Sequence, residues 1–404
     1  MSTTNFVRRV ASTITRSKWP VTLARLLIQA VASGCGVFFG AADATLAADP
    51  IGWKPSKTFV FAVGILEWER EDLWRSFPDA VPNRRDAQLV QHFREAGVPD
   101  EHIVYLQDKA ATKHEIKRRF VELLDETDTG DLLIFYYAGH GYRNATNGKT
   151  WFANYDAADR MNSGWSVANI FQTIDEHFSG DRVIVVADCC HSGALYDEVQ
   201  ARTDEEVGFC ALTSSYSHNA STGAWTFTDS LLKSLRGRPN IDYDRDGDVD
   251  LEETARFIEG EMAFIEEQKS MFIARGRLRG DTVVAKTMGK AKPKGGDHCE
   301  AFSDDAWYKA EILQYDEAAK KYEVHYCGFS SEYDEWLPAS RVRGYQPRAY
   351  AVGTAVQGCS DGEWYPARVL RSWYGLHLLR YDGYDATWDE WLGPSAVRPH
   401  AEPF

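Results

Sequence analysis

The sequence is poor in cysteine: seven in 404 residues, too sparse for the disulfide framework of a small secreted scaffold. Two of them, Cys189 and Cys190, are adjacent, where an ordinary structural bridge cannot join them, so individual thiol chemistry becomes the more informative reading. Basic charge is also in deficit. Sixty acidic residues against 45 basic ones leave a formal net charge of −15. Binding through bulk positive charge needs clustered Lys and Arg, so no nucleic-acid partner is expected and a cationic substrate or partner fits better. The uncharged stretch 26–42, diluted by Gly, Ser and Gln, falls short of the roughly 20 residues of a membrane span. What is present is a globular composition, 44% hydrophobic and 26% charged, which excludes a disordered or collagenous chain. The length predicts two to four domains.

Residues 1–42 hold no acid but five bases, Arg8, Arg9, Arg16, Lys18 and Arg25, ahead of and flanking the apolar stretch. Small residues around Thr45 to Ala48 offer a cleavage site, so residues 1–48 read as a signal peptide and the protein as secreted or periplasmic. A retained membrane anchor is the alternative, and a removable pro-segment on a cytoplasmic protein is a third reading.

From residue 57 the pattern alternates. Apolar runs at 59–66, 103–106, 132–137, 183–187 and 209–212 predict strands of a sheet covered on both faces. Between them, 84–96, 113–126, 166–177 and 226–235 predict helices, the second opened by Thr112 with Glu115 in a capping-box spacing. This is an α/β domain with a mainly parallel sheet and helices on both faces, over 57–287. The basic, Gly- and Pro-bearing 288–296 is a linker. Beyond it the chain repeats: Trp307-Tyr308, Tyr326-x-Gly328-Phe329 and Asp334-Glu335-Trp336-Leu337 return as Trp364-Tyr365, Tyr381-x-Gly383-Tyr384 and Asp389-Glu390-Trp391-Leu392. Residues 297–345 and 350–399 are therefore two copies of one small β module.

Two predicted strand ends carry unusual polar residues, Ala138-Gly139-His140-Gly141 and Asp188-Cys189-Cys190-His191-Ser192-Gly193. Such ends lie at the open edge of a parallel sheet, where ligands bind. Taken singly, His140 reads as a loop histidine and Cys190 as a small core residue. Together, a Cys preceded by a His about 50 residues earlier is the arrangement of a caspase-type nucleophile and its base. On these motifs, Tyr137 to Gly141 and Asp188 to Gly193, residues 57–287 resemble the caspase/metacaspase superfamily of cysteine peptidases.

The resemblance implies Cys190 as nucleophile, His140 as general base, and the backbone N–H groups of Gly141 and Cys190 as oxyanion hole. It implies that His191 is aimed elsewhere and that Cys189 is buried. Asp188 stands where true caspases have Gln, as in metacaspases that cut after Arg or Lys, and Asp86 matches a second acid of that pocket. Arg84 and Arg85 keep open a pocket that prefers acidic residues, and Ala138 replaces the family's usual Ser or Thr. A peptidase cleaving after acidic residues and a catalytically silent caspase-fold scaffold are the competing readings.

Asp242, Asp244, Asp246, Gly247, Asp248, Asp250 and Glu253 fit the twelve-residue EF-hand loop, 242–253, with Asp248 giving its carbonyl. Ca2+ is thus an expected, non-catalytic cofactor of a single unpaired loop. The resemblance implies that Asp156 and Asp159 are what remains of the acidic cluster at which metacaspases take calcium. The repeats resemble the Tudor/chromo-barrel (Tudor-knot, agenet-like) group of SH3-like barrels, whose aromatics can cage a cation. Those aromatics also suit the core of a small barrel. In an exported protein the ligand of the repeats is left unknown, with docking of substrate, partner or cell-envelope material expected beside a protein or peptide substrate.

Overall fold

A computed structural model describes residues 54–144, 146–203, 205–292 and 294–400, which leaves the predicted signal segment, 1–48, outside the described residues. In chain order β1 (Thr58–Gly64), β2 (Ile103–Gln107) and β3 (Leu132–Ala138) are followed by a small antiparallel sheet of β4 (Gly141–Arg143), β5 (Thr150–Phe152) and β6 (Trp165–Ser166). Then come β7 (Arg182–Asp188), β8 (Gly208–Thr213), β9 (Asp248–Asp250), β10 (Met271–Arg275) and β11 (Val283–Lys286). The main sheet has the order β10-β8-β7-β3-β1-β2, parallel throughout except for β10 at one edge.

Every residue of β1 is buried because both faces of the sheet are covered. Phe59, Phe61 and Val63 point into one layer with helices α2 (Lys113–Leu124), α3 (Val167–His177) and α4 (Ala194–Ala201). Val60 and Ala62 point into the other, with α1 (Arg85–Glu95), α5 (Thr226–Leu235) and α6 (Leu251–Ile265). This is the period of two that a strand imposes, in a run apolar enough to satisfy both sides. Phe61, Phe120, Phe135 and Trp165 pack with ring centroids 4.7 to 6.3 Å apart, and truncating one to alanine would cost about 3–5 kcal/mol.

In α2, Ile116, Phe120, Leu123 and Leu124 form the buried stripe. Thr112 caps it by accepting the Glu115 N–H at 3.3 Å, while the Glu115 carboxylate is taken by Arg118 at 2.7 Å. A complete capping box stands instead at α6, between Asp250 and Glu253. The strand-helix alternation appears as the sequence predicts. The small sheet, α4 and the antiparallel β10 are additions, all short or only partly buried, where periodicity is weak.

Each repeat is a five-stranded antiparallel sheet of the same topology. The first comprises β12 (His298–Ser303), β13 (Ala306–Asp316), β14 (Lys321–Tyr326), β15 (Glu335–Pro338) and β16 (Val342–Gly344) in the order β15-β14-β13-β12-β16. The second comprises β17 (Ala355–Ser360), β18 (Glu363–Trp373), β19 (Leu376–Tyr381), β20 (Glu390–Leu392) and β21 (Val397–Pro399) in the order β20-β19-β18-β17-β21. Even the β-bulge recurs, after Ile312 and after Val369, which bends each long strand at the same place. The described residues belong to one compact unit.

Candidate active site

β3 and β7 are adjacent and in register, with Ala138 opposite Asp188. His140 and Cys190 each lie two residues beyond that pair, so both leave the carboxyl edge of the sheet at the same level. The His140 ring rests among Trp68, Phe77 and Trp74, with centroids 4.5, 4.7 and 5.8 Å away. Its Nε2 lies 2.8 Å from the Arg75 carbonyl. A carbonyl can only accept, so Nε2 carries the hydrogen and Nδ1 keeps the free lone pair. Burial pushes the imidazole below its ordinary pKa, and the charge of Arg160 works the same way.

The Cys190 sulfur accepts the Ser221 N–H at 3.1 Å. Burial pushes this thiol up, against the opposing pull of that N–H. Raised thiol and lowered imidazole together mean a resting pair that is neutral on both sides near pH 7. Gly141 opens β4 directly against the nucleophile loop: a Cβ there would sit 1.9 Å from the Cys190 carbonyl oxygen, so only glycine lets the two backbones approach. Cys189 is buried in the core, and the His191 ring is held by Nδ1 on the Ser217 carbonyl at 3.1 Å. Neither occupies the place given to Cys190 or His140.

Asp188 is buried, and its Oδ2 accepts from Thr228 at 2.7 Å. Since Thr228 donates there, the contact of 2.8 Å with Tyr136 is a bond donated by the phenol, which makes a chain from Tyr136 through Thr228 to Asp188. Burial raises the carboxyl to about 7. Asp188 lines a cleft of about 30 Å³ with Leu66, Phe77, Gly139, Thr222 and Trp225, room for one or two waters.

Asp86, given to the same pocket by the sequence reading, is fully buried at the start of α1, with its Oδ2 2.7 Å from Arg84 and 2.8 Å from Tyr105. Arg84 also bonds Asp108 at 2.5 Å and the Gly64 carbonyl at 2.8 Å. Asp86, expected to meet a substrate cation, thus already holds the chain's own guanidinium. Asp156 and Asp159 are likewise committed, to Lys113 N and Asn154 and to the turn N–H groups of 161–163.

Asp242, Asp244 and Asp246 bring carboxylate oxygens within 4.8 Å of one another. The turn is wound by Gly247 at φ +95° and by bonds from Asp246 N, Gly247 N and Asp248 N to Asp244, Asp242 and Asp246. Glu253 closes over it, accepting from Tyr243 N at 2.6 Å. Asp250 instead caps α6, accepting the Glu253 N–H at 2.8 Å, the Asp248 carboxylate pairs with Lys286, and the Asp248 carbonyl accepts from the Thr287 hydroxyl at 3.4 Å. Among the described residues the loop stands without a second loop, but its strand β9 pairs antiparallel with β11.

In the modules Tyr308, Tyr326, Phe329 and Tyr333 form a quartet with adjacent centroids 5.9 to 6.4 Å apart. Tyr365, Tyr381, Tyr384 and Trp388 repeat it at 5.7 to 6.4 Å. Tyr326 and Tyr381 serve the cores, while Phe329, Tyr333, Tyr384 and Trp388 are exposed. Sequence reasoning missed the Arg75 carbonyl, the Ser221 N–H, Thr228 and the aromatic wall around His140. All but Thr228, which stands in the first turn of α5, come from loops, which carry no periodic signal.

The family model for the caspase domain matches residues 83–283, and a Tudor-knot model, described as the RNA binding activity-knot of a chromodomain, matches 296–344. Metacaspase-4 of Arabidopsis thaliana is 29% identical over 128 residues, covering 30% of this chain and 30% of the relative. Metacaspase-2 of Trypanosoma brucei brucei is 28% identical over 127 residues, covering 27% and 35%. The chain thus spans about a third of the length of these relatives. Among solved structures, Arabidopsis thaliana AGDP1 AGD34 is similar at 18% identity and a TM-score of 0.14, covering 26% of this chain and 82% of that one, a likeness too slight to carry argument. Strand ends, motif residues and family matches agree that this chain carries a caspase domain related to the metacaspases, followed by a Tudor-knot domain.

Proposed function

We propose that the chain is a cysteine endopeptidase that cleaves after Arg or Lys, and the observation that carries this reading is the common level of His140 and Cys190, with His140 Nε2 tied to the Arg75 carbonyl. Nδ1 of His140 takes the Cys190 proton as the sulfur attacks the scissile carbonyl, and the same proton then goes to the leaving amine. Water, deprotonated by His140, hydrolyses the thioester and returns the thiol. The N–H groups of Gly141 and Cys190 face the developing oxyanion. A basic side chain entering between Leu66 and Trp225 meets Asp188, and the segment around Thr222 to Trp225 gives way to admit it, because the cleft itself holds only a water or two.

Asp242, Asp244, Asp246 and Glu253, with the Asp248 carbonyl, would hold calcium at 242–253, where its positive charge would fix the loop and take no part in the chemistry at Cys190. The exposed rings of the two quartets take a cationic group on a partner or substrate. Export through residues 1–48 places the enzyme outside the cytoplasm.

The test is cleavage of Arg-, Lys- and Asp-ended fluorogenic peptides by residues 49–404, under reducing conditions with calcium or chelator. Cleavage after Arg or Lys that disappears in Cys190→Ala and falls at least 100-fold in His140→Ala is expected. Cleavage of none of the peptides would leave the silent scaffold standing; cleavage after Asp alone would overturn the role of Asp188.

A further inference from the structure

The serine-rich loop between β8 and α5, residues 214–225, supplies a partner to each of Cys189, Cys190, His191 and Ser192 in the nucleophile loop. Ser214 Oγ accepts the Cys189 N–H at 3.0 Å, Ser215 N donates to Ser192 at 3.0 Å, the Asn219 carbonyl accepts the His191 N–H at 2.9 Å, and Ser221 N donates to the Cys190 sulfur. Something has to hold this loop from its far side. Gln268 holds part of it, through Thr222 N at 3.0 Å and Ser221 Oγ at 3.0 Å. The remainder is held by the second module.

The side-chain amide of Asn219 makes two bonds to one residue of edge strand β20. Its Nδ2 donates to the Trp391 carbonyl at 3.0 Å and its Oδ1 accepts the Trp391 N–H at 3.0 Å. An asparagine amide offers the donor and acceptor that a neighbouring strand would offer, so it completes an edge that β19 leaves unpaired on one side. Beside it, His218 Nδ1 donates to the Asp389 carbonyl at 3.0 Å, and Arg143 donates to the Thr387 carbonyl at 3.2 Å. The Trp391 side chain packs with Ala263, Leu376 and Tyr216.

The repeat supplies its own control. Trp336 holds the matching position in the first module and is 40% exposed, whereas Trp391 is 8% exposed. The two sheets share topology and bulge, so the difference comes from docking and not from the module's own fold.

We infer that Asn219 is a positioning residue for Cys190 and that the docked second module is a working part of the catalytic centre. The amide fixes residues 218–221 against β20, and this sets the Ser221 N–H on the nucleophile's sulfur, where it stabilises the thiolate as the proton leaves. The inference rests on the peptidase reading for its kinetic consequence, but the thiol can be followed without any substrate.

The experiment compares wild type, Asn219→Ala and Trp336→Ala in the full chain. Two quantities are read: the rate of iodoacetamide modification of Cys190 across pH 6–10, located by mass spectrometry, and peptide turnover. Asn219→Ala is expected to slow Cys190 modification at pH 7.5 about tenfold by raising its apparent pKa, and to lower kcat about tenfold with KM unchanged. Trp336→Ala is expected to alter neither. Slowed modification in Asn219→Ala beside a wild type that cleaves no peptide would uphold the clamp and overturn the peptidase reading. Unchanged modification and turnover in Asn219→Ala would overturn the clamp. If that variant melts several degrees lower, Asn219→Asp, which keeps the acceptor for Trp391 N–H and loses the donor, is read by the same two measurements and must show the same upward shift.

Discussion

At the residue scale, Asp188 carries the sharpest consequence of burial. Its carboxyl is raised to about 7 by desolvation, against the opposing bond from Thr228. A carboxyl raised in the folded state favours the protonated form there, so its contribution to stability is present below the unfolded value near 4 and is lost as pH rises through about 7. Asp188→Asn removes that loss. It should melt higher than wild type at pH 8, by a margin of a few kcal/mol, and show no such margin at pH 4. Attraction for a basic substrate has the opposite demand, since only the ionised carboxylate provides it. Turnover of Arg-ended peptides, read as kcat/KM, should therefore rise with pH through about 7, above the limb set by the lowered His140. Arg preference surviving intact in Asp188→Asn would remove Asp188 from the pocket. His140, Cys190 and Asp188 were legible because each is a polar residue at the end of an apolar run. The pairing of Asp86 with Arg84 was not, although the two are separated by one residue: sequence shows both charges but not that the side chains turn toward each other beneath Gly64.

At the scale of elements, the strands of the parallel sheet were readable almost to their ends because doubly buried strands leave uninterrupted apolar runs. The acidic loop 242–253 stood out in the sequence because its spacing matches one that coordination geometry fixes. Unreadable was its companion: β11 pairs with β9 through backbone bonds that no side-chain pattern announces. That pairing ties the loop to the start of the linker, where Thr287 donates to Asp242 at 3.0 Å and its N–H to the Gly247 carbonyl at 2.9 Å. Calcium binding should accordingly stabilise the fold, since an ion that binds only the folded loop raises stability in proportion to its occupancy. Millimolar calcium is expected to raise the melting temperature by several degrees, and Glu253→Gln, without the twelfth-position carboxylate, to abolish the rise. Calorimetric titration that finds no heat with wild type would make the loop a structural turn only.

At the scale of the whole molecule, net charge read from the sequence suggested cationic partners, but part of the acidity is internal. Glu267, just beyond α6 at φ +54°, joins both modules to the caspase domain. It pairs with Lys309 of the first at 3.3 Å and accepts the Ser395 N–H of the second at 2.9 Å. Burial opposes its ionisation, yet these two partners leave its pKa below the ordinary value. A carboxylate lowered in this way contributes stability above its unfolded pKa and loses it as pH falls through the lowered value, so docking of the modules should weaken in acid below the usual carboxylate range. Glu267→Ala removes both bonds at any pH, whereas Glu267→Gln keeps an acceptor for Ser395 and loses only the charge. Hydrogen exchange at the Trp391 amide, protected by Asn219, reads the docking directly. It should quicken at least tenfold in Glu267→Ala and less in Glu267→Gln, with exchange in β3 and β7 unchanged because the parallel sheet opens separately. Equal protection of Trp391 in all three proteins would mean that Asn219 and the packing of Trp391 hold the second module without Glu267.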